Sequence, residues 1–382
     1  MRSSIRCSAL ALVVLACTSE PPPELAESTP APETPTPPES PESPEAARKR
    51  ECIDRLLPAA EPRFHGLLRS VCAEWVNQAI PGVAIAVVER GELRLHAELG
   101  VRCLGRAEPV EPSTAFRVGS ISKTFTAALV LDALDPDALA EPVALAGLEW
   151  PAGLPAPSPH ALLVHRSGLG EIAPDRVVAF AGDWKSALAH SPAFGPPGEW
   201  HYSNAGYVIL GALLESKTAR SYEELLHARF ARLSTITSDP TKSSEPACGH
   251  LPEPGGLRVI PVDHDLDFMP GDPSWLRPTG GVLSSAEDLA RFGAGLDPRM
   301  FEPGEPLPRE VGRHDDERYG SGLRSWTRRD GEWTYGHSGD TGTFAAELIV
   351  APDRQIAIVL LANAPTQWSG PRLAVDELLN RL

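Results

Sequence analysis

Phe116-Arg117-Val118-Gly119-Ser120-Ile121-Ser122-Lys123-Thr124-Phe125 is the stretch that decides how this 382-residue chain is read. From 120 to 134 (SISKTFTAALVLDAL) the residues are mostly small or apolar, with no Gly or Pro. That predicts a helix with Ser120 at its start. Residues i and i+3 share a helix face, so the Ser120 hydroxyl and the Lys123 ammonium can touch. A serine needs a nearby base to become a nucleophile. A lysine is such a base when partial burial lowers its pKa. A helix N-terminus adds free backbone N–H groups and a positive dipole end, which favour an oxyanion. The motif alone is weak. With 29 serines and five lysines in the chain, S-x-x-K is expected by chance about 0.4 times. Its bland reading is a helix cap beside a solvated lysine.

Tyr202-Ser203-Asn204 is rarer: Y-x-N should occur by chance about 0.05 times. A tyrosine beside an ammonium ionises more readily and can relay a proton between nucleophile and leaving group. An asparagine two residues on can orient a substrate amide with its donor and its acceptor. The bland reading is a core tyrosine with Asn204 in a turn. His337-Ser338-Gly339 ends a predicted strand, where a glycine lets a substrate backbone approach closely. By itself H-x-G is cheap.

In this order, Ser-x-x-Lys, Tyr-x-Asn and His-x-Gly resemble the serine β-lactamase and penicillin-binding-protein superfamily. The likeness is to the branch of class C β-lactamases, D,D-carboxypeptidases and family VIII carboxylesterases. Further stretches carry it. Phe116-Arg117-Val118-Gly119 precedes the serine as in that family. Leu162–Leu169 (LLVHRSGL) is similar to its LLxHxSGL, and Gly280–Leu289 (GGVLSSAEDL) to its GGLxSTAEDL. Pro197-Gly198-Glu199 leads into the tyrosine motif. The likeness spans roughly 80–380.

The resemblance implies a role for each residue. Ser120 would be acylated, and Lys123 and Tyr202 would share proton transfer. Asn204, Ser338 and Gly339 would bind substrate. The backbone N–H groups of Ser120 and Asp340 would form the oxyanion hole, and no cofactor or metal would be needed. His337 stands where many members carry lysine, and a mostly neutral imidazole attracts a carboxylate less than an ammonium does. Asp340 beside the oxyanion hole is a second departure, harmless if its side chain faces away. His165 would structure its loop. The implied activity is hydrolysis of an amide or ester, D,D-carboxypeptidase-like or a related peptidase first, then carboxylesterase, then β-lactamase. A catalytically silent envelope binding protein is the non-enzyme alternative.

Other constellations lose. Gly336-His337-Ser338-Gly339-Asp340 nearly spells the G-x-S-x-G elbow, but its last position is Asp340 and a strand follows rather than a helix. Asp263, Asp265 and Asp267 alternate like part of a calcium loop, without the required Gly and distal Glu. A solvated loop is the better reading. His264 and His314 lack an i,i+4 partner and read as surface residues.

The rest of the chain frames these motifs. Its net charge of −16 argues against a nucleic-acid partner held by phosphates. Met1–Arg6 followed by Cys7–Ala16 (CSALALVVLA) reads as a secretory signal. It ends in Val14-Leu15-Ala16-Cys17, which resembles a bacterial lipobox, so Cys17 is a lipidation candidate and residues 1–17 a signal peptide. Residues 18–50 hold ten prolines and seven glutamates, too little apolar surface to offset ordering entropy, so an extended tether is expected. The expected place is the cell envelope, on the periplasm-facing outer membrane if the host has one, and the expected state a monomer on a small-molecule or peptidoglycan-peptide substrate. Beyond the signal and Cys17, four cysteines remain. Pairs Cys52–Cys72 and Cys103–Cys248 are one of three pairings, buried thiols the alternative.

Residues 62–79 read as an amphipathic helix, and 83–89 with 93–99 as a hairpin. Strands are expected at 333–337, 343–350 and 355–363, then a helix at 370–382. The expected fold is α/β (α+β), an antiparallel sheet from both chain ends (about 51–123 and 310–382) with helices around it. An all-helical part is expected between, about 124–309.

Overall fold

The two ends of the domain do share one sheet. The structure, a computed structural model, describes residues 42–151, 153–171, 185, 194–263 and 276–382. The signal, the tether to residue 41, Cys17, His264, Asp265 and Asp267 lie outside them. The first hairpin is β1 (Gly82–Glu89) and β2 (Glu92–Gly100). β10 (Trp333–Asp340), β11 (Ala345–Ala351) and β12 (Ile356–Ala362) come from the other end. With β7 (Glu305–Pro306), β8 (Arg318–Tyr319) and β9 (Arg324–Thr327) they form one sheet, ordered β2-β1-β12-β11-β10-β9-β8-β7. Its pairs are antiparallel, and β1 meets β12 in the register Ala84↔Leu361 and Ala86↔Val359.

The central strands are buried on both faces, so each strand divides its apolar residues between two cores. Ile356, Ile358 and Leu360 pack with Val83, Ile85 and Val87 against helices α1 (Pro44–Leu56), α2 (His65–Asn77) and a C-terminal helix, Ser369–Leu379. Val359 and Leu361 face the larger core, with α3 (Ser122–Ala133) and the helices that follow it.

Three expectations need correction. The chain from 44 to 50 is helical, not extended: Ser43 caps α1, Pro44 sits in its first turn, and Cys52 ties it to Cys72 of α2. The middle of the chain is not all helical. β3 (Phe116–Arg117) pairs with β6 (Leu283–Ser284), and β4 (Gly249–Glu253) with β5 (Gly256–Ile260). Cys248, just before β4, is bonded to Cys103. His314 is half-buried, its ring stacked on Trp326 with centroids 5.0 Å apart.

Candidate active site

Ser120 does not cap its helix. It sits in a 3-10 turn, Gly119–Ile121, from which α3 starts at Ser122. Its hydroxyl is bonded instead by Lys123, whose Nζ lies 3.0 Å from Ser120 Oγ. α3 is buried on almost every side, and Lys123 is fully buried with it. Nζ also donates to the carbonyl of Thr279 at 2.8 Å, in the short helix Arg277–Gly280. Desolvation lowers the Lys123 pKa to about 7, with the charge of Glu171 pulling the other way. The amine is thus close to half neutral near pH 7, as a base for Ser120 requires.

Tyr202 reaches the same hydroxyl but behaves otherwise than expected. Burial raises its pKa, against the lowering effect of its hydrogen bond with Ser120. The Lys123 ammonium lies over its ring, 4.9 Å from the centroid. Tyr202 therefore stays a phenol. Its loop is fixed from both sides. Ser203 caps the helix Asn204–Thr218, its hydroxyl accepting from Gly206 N and donating to the Gly170 carbonyl. His165 accepts from Ser203 N through Nδ1, and its carbonyl accepts from His201 N. His165 holds a left-handed backbone at φ +58°, so its expected loop-structuring role has a physical basis.

Asn204 is engaged at both ends. Nδ2 donates to Glu171 Oε2 at 3.1 Å, and Oδ1 accepts from Thr279 Oγ1 at 2.6 Å. The Asn204 backbone N–H donates to the same Glu171 oxygen. Each amide end keeps one further hydrogen-bonding position.

β10 meets the Ser120 turn backbone to backbone. A side chain on Gly339 would place Cβ 1.9 Å from the Val118 carbonyl oxygen, and one on Gly119, whose φ is +53°, 2.8 Å from Asp340 N. Only glycine at both positions allows this approach. It sets the Asp340 amide nitrogen against Gly119, the residue before Ser120. The Asp340 side chain is turned into its own loop, accepting from Gly342 N at 2.6 Å.

His337 and Ser338 point to opposite faces of β10. His337 pairs across with Leu348, a larger-core residue, and lies on the Ser120 side. Its Nδ1 bonds the Ser338 carbonyl, so Nδ1 carries the proton and Nε2 accepts from Tyr319 OH at 2.9 Å. Burial, then the charge of Lys123, hold His337 well below the usual histidine range, so it is a neutral imidazole. Ser338 pairs across with Glu347 and accepts from Arg313 Nη2 at 3.2 Å, so its side chain is turned to the other face. Its expected contact with substrate is thereby reduced to its backbone. Nor is it an elbow nucleophile, because it lies within a strand.

Sequence reasoning missed Thr279, Glu171 and Tyr319. Thr279 stands next to the noted Gly280-Gly281, and Glu171 two residues beyond the LLVHRSGL stretch. Tyr319 left no signal.

The family model described as Beta-lactamase matches residues 66–379. The chain belongs to the beta-lactamase family. The family is one of serine hydrolases, as the names of relatives agree. A D-aminopeptidase of Brucella canis is 24% identical over 338 residues, 80% of this chain and 60% of that protein. This chain thus spans about 60% of the length of that relative. Among solved structures, the octameric penicillin-binding protein homologue from Pyrococcus abyssi is 25% identical with a TM-score of 0.66, covering 82% of this chain and 76% of that one. A D-amino acid amidase from Ochrobactrum anthropi superimposes with a TM-score of 0.65 at 20% identity, over 84% and 98%. The last is a likeness of fold alone.

Proposed function

We propose that this beta-lactamase family member cleaves an amide or ester through an acyl-enzyme on Ser120, with a peptide-type amide as its foremost substrate. The observation that carries this is the buried Lys123 amine, with a pKa near 7 and 3.0 Å from Ser120 Oγ. Neutral Lys123 takes the Ser120 proton as Oγ bonds to the carbonyl carbon. The backbone N–H groups of Ser120 and Asp340 hold the developing oxyanion. As the C–N bond breaks, the proton passes to the leaving amine through the Tyr202 phenol, which gives one proton and takes one. Water then repeats the sequence on the acyl ester, releasing the acid and returning the proton to Ser120.

The names of the D-aminopeptidase and D-amino acid amidase support amides of D-residues within this class. A neutral His337 disfavours substrates that need an ammonium for a terminal carboxylate, which places the D,D-carboxypeptidase and β-lactamase readings behind. The same observation favours an ester substrate as the second reading. The workplace we propose is the cell envelope, with export by residues 1–17, a lipid anchor at Cys17 and a monomeric domain on the tether. Two disulfides suit an oxidising compartment.

The test is turnover of a panel by wild type and Ser120→Ala: D-alanine p-nitroanilide, N-acyl-D-alanyl-D-alanine, p-nitrophenyl butyrate and a chromogenic cephalosporin. Cleavage of an amide or ester that is lost in Ser120→Ala is expected. Turnover that survives the substitution contradicts the reading, and a folded protein that binds but turns over none of the panel is the silent binder.

A further inference from the structure

β10 reaches the site with one side uncovered. Its ladder with β9 ends at Gly336↔Arg324, whereas its ladder with β11 runs on to Asp340↔Ala345. From His337 to Asp340, no described strand pairs with it on the β9 side. This is the stretch that carries the Asp340 N–H proposed for the oxyanion. Where the ladder stops, a side chain takes over. The hydroxyl of Tyr319, on β8, donates to His337 Nε2 at 2.9 Å, and His337 Nδ1 bonds the Ser338 carbonyl at 2.6 Å. On the opposite face Arg313 holds the Ser338 hydroxyl at 3.2 Å.

The two bonds of that ring fix one another. A carbonyl oxygen only accepts, so Nδ1 carries the proton of the neutral imidazole and Nε2 must accept. The phenol supplies the donor that Nε2 needs. With the proton on Nε2 instead, the Nδ1 lone pair would face the Ser338 oxygen at 2.6 Å. Both nitrogens are spent inside the protein, so His337 keeps no hydrogen-bonding position for a substrate. What it does is join Tyr319 to the Ser338 carbonyl, one peptide before the Asp340 N–H. Tyr319 is fully buried, its ring 4.7 Å from that of His165 and edge-on to that of Tyr202 at 6.4 Å. Tyr202 is in turn bonded to Ser120.

We propose that Tyr319 is a positioning residue: by fixing the tautomer of His337 it holds the end of β10 so that the Asp340 N–H faces the oxyanion. This rests on the acyl-Ser120 reading and adds a residue to it. Tyr319 takes no part in making or breaking bonds. A tyrosine that only filled the core would be replaced well by phenylalanine, which keeps the ring and lacks the hydroxyl. Removing the hydroxyl leaves the Nε2 lone pair buried without a donor, a cost large enough to move the ring that carries it. The Ser338 carbonyl is then released on the side where β10 has no strand beside it.

The experiment follows the rate at which a fluorophosphonate, whose phosphoryl oxygen takes the oxyanion's place, labels Ser120, read by intact mass. In Tyr319→Phe the rate at saturating reagent is expected to fall about 10- to 100-fold with the half-saturating concentration unchanged, because a displaced oxyanion donor is missed only in the transition state. His337→Gln should lose a similar factor, and the double variant no more than His337→Gln alone, because Tyr319 acts through that ring. A Tyr319→Phe protein that labels at the wild-type rate, or losses that multiply in the double variant, overturns the inference. A second measurement needs no variant of Tyr319 that folds. NMR of isotopically labelled histidine in wild type, with the His337 ring assigned by its absence in His337→Gln, is expected to show the proton on Nδ1 and a bare Nε2. A proton on Nε2 overturns the inference as well. Wild type that labels without these effects sinks only the inference, whereas an unlabelled wild-type serine sinks the hydrolase reading beneath it.

Discussion

Burial acts in opposite directions on the two groups that touch Ser120. It disfavours the charged form of each, which lowers the Lys123 ammonium to about 7 and raises the Tyr202 phenol. In the proposed reaction the base is therefore the amine, and the tyrosine passes protons without resting as phenolate. A pH profile follows with a definite sign. The free-enzyme base must be neutral, so kcat/KM is expected to rise about tenfold per unit below pH 7 and level off above it. Lys123→Arg should be inactive across the range, because a guanidinium is never neutral there. A flat profile from pH 5 to 8 would remove Lys123 from the role. Sequence alone gave the Ser120–Lys123 contact, because i,i+3 geometry is local. The phenol state of Tyr202 was not legible, since it depends on how deeply residues distant in sequence bury it. Glu171 and Thr279 escaped for the same reason: they meet Asn204 only once three segments are packed together.

At the scale of elements, the contact between β10 and the Ser120 turn sets the geometry. Two glycines, Gly119 and Gly339, let the backbones touch. Gly339→Ala puts a methyl against the Val118 carbonyl, so the strand must move away and the Asp340 amide with it. The expected loss in kcat is about 10²- to 10³-fold, that of one oxyanion donor, in a protein that remains folded by circular dichroism. Near-normal activity would mean that the Asp340 N–H does not serve the oxyanion. The strand ends explain another misreading. His-x-Gly was legible as a motif, but strand alternation sends Ser338 to the face of Glu347 and Arg313. The β4–β5 hairpin was hidden by Pro252 and Pro254, which read as breaks. α1 was hidden by the prolines before it, although Ser43-Pro44 is itself a helix start.

At the scale of the molecule, chain ends far apart in sequence supply neighbouring strands. Reading both ends as sheet was possible because runs such as Ile356–Ala362 are apolar throughout, the mark of strands buried on both faces. The disulfides tie the same framework: Cys52–Cys72 spans 20 residues and Cys103–Cys248 spans 145. Loop closure on those lengths is worth about 3 and about 5 kcal/mol in the chain-entropy model. Against that frame the site is assembled from four separate places, the Ser120 turn, the Tyr202 loop, the Thr279 turn and β10. The proposed reaction requires this assembly to make one serine nucleophilic out of 29. Intact-protein mass spectrometry of residues 43–382 after incubation with a penicillin, beside Ser120→Ala, is the measurement to make, with a fluorophosphonate as a second serine-directed electrophile. A single adduct in wild type, mapped to Ser120 and absent from the variant, is the expected result. An adduct that persists in Ser120→Ala, or a folded wild type that takes up neither reagent, would contradict it.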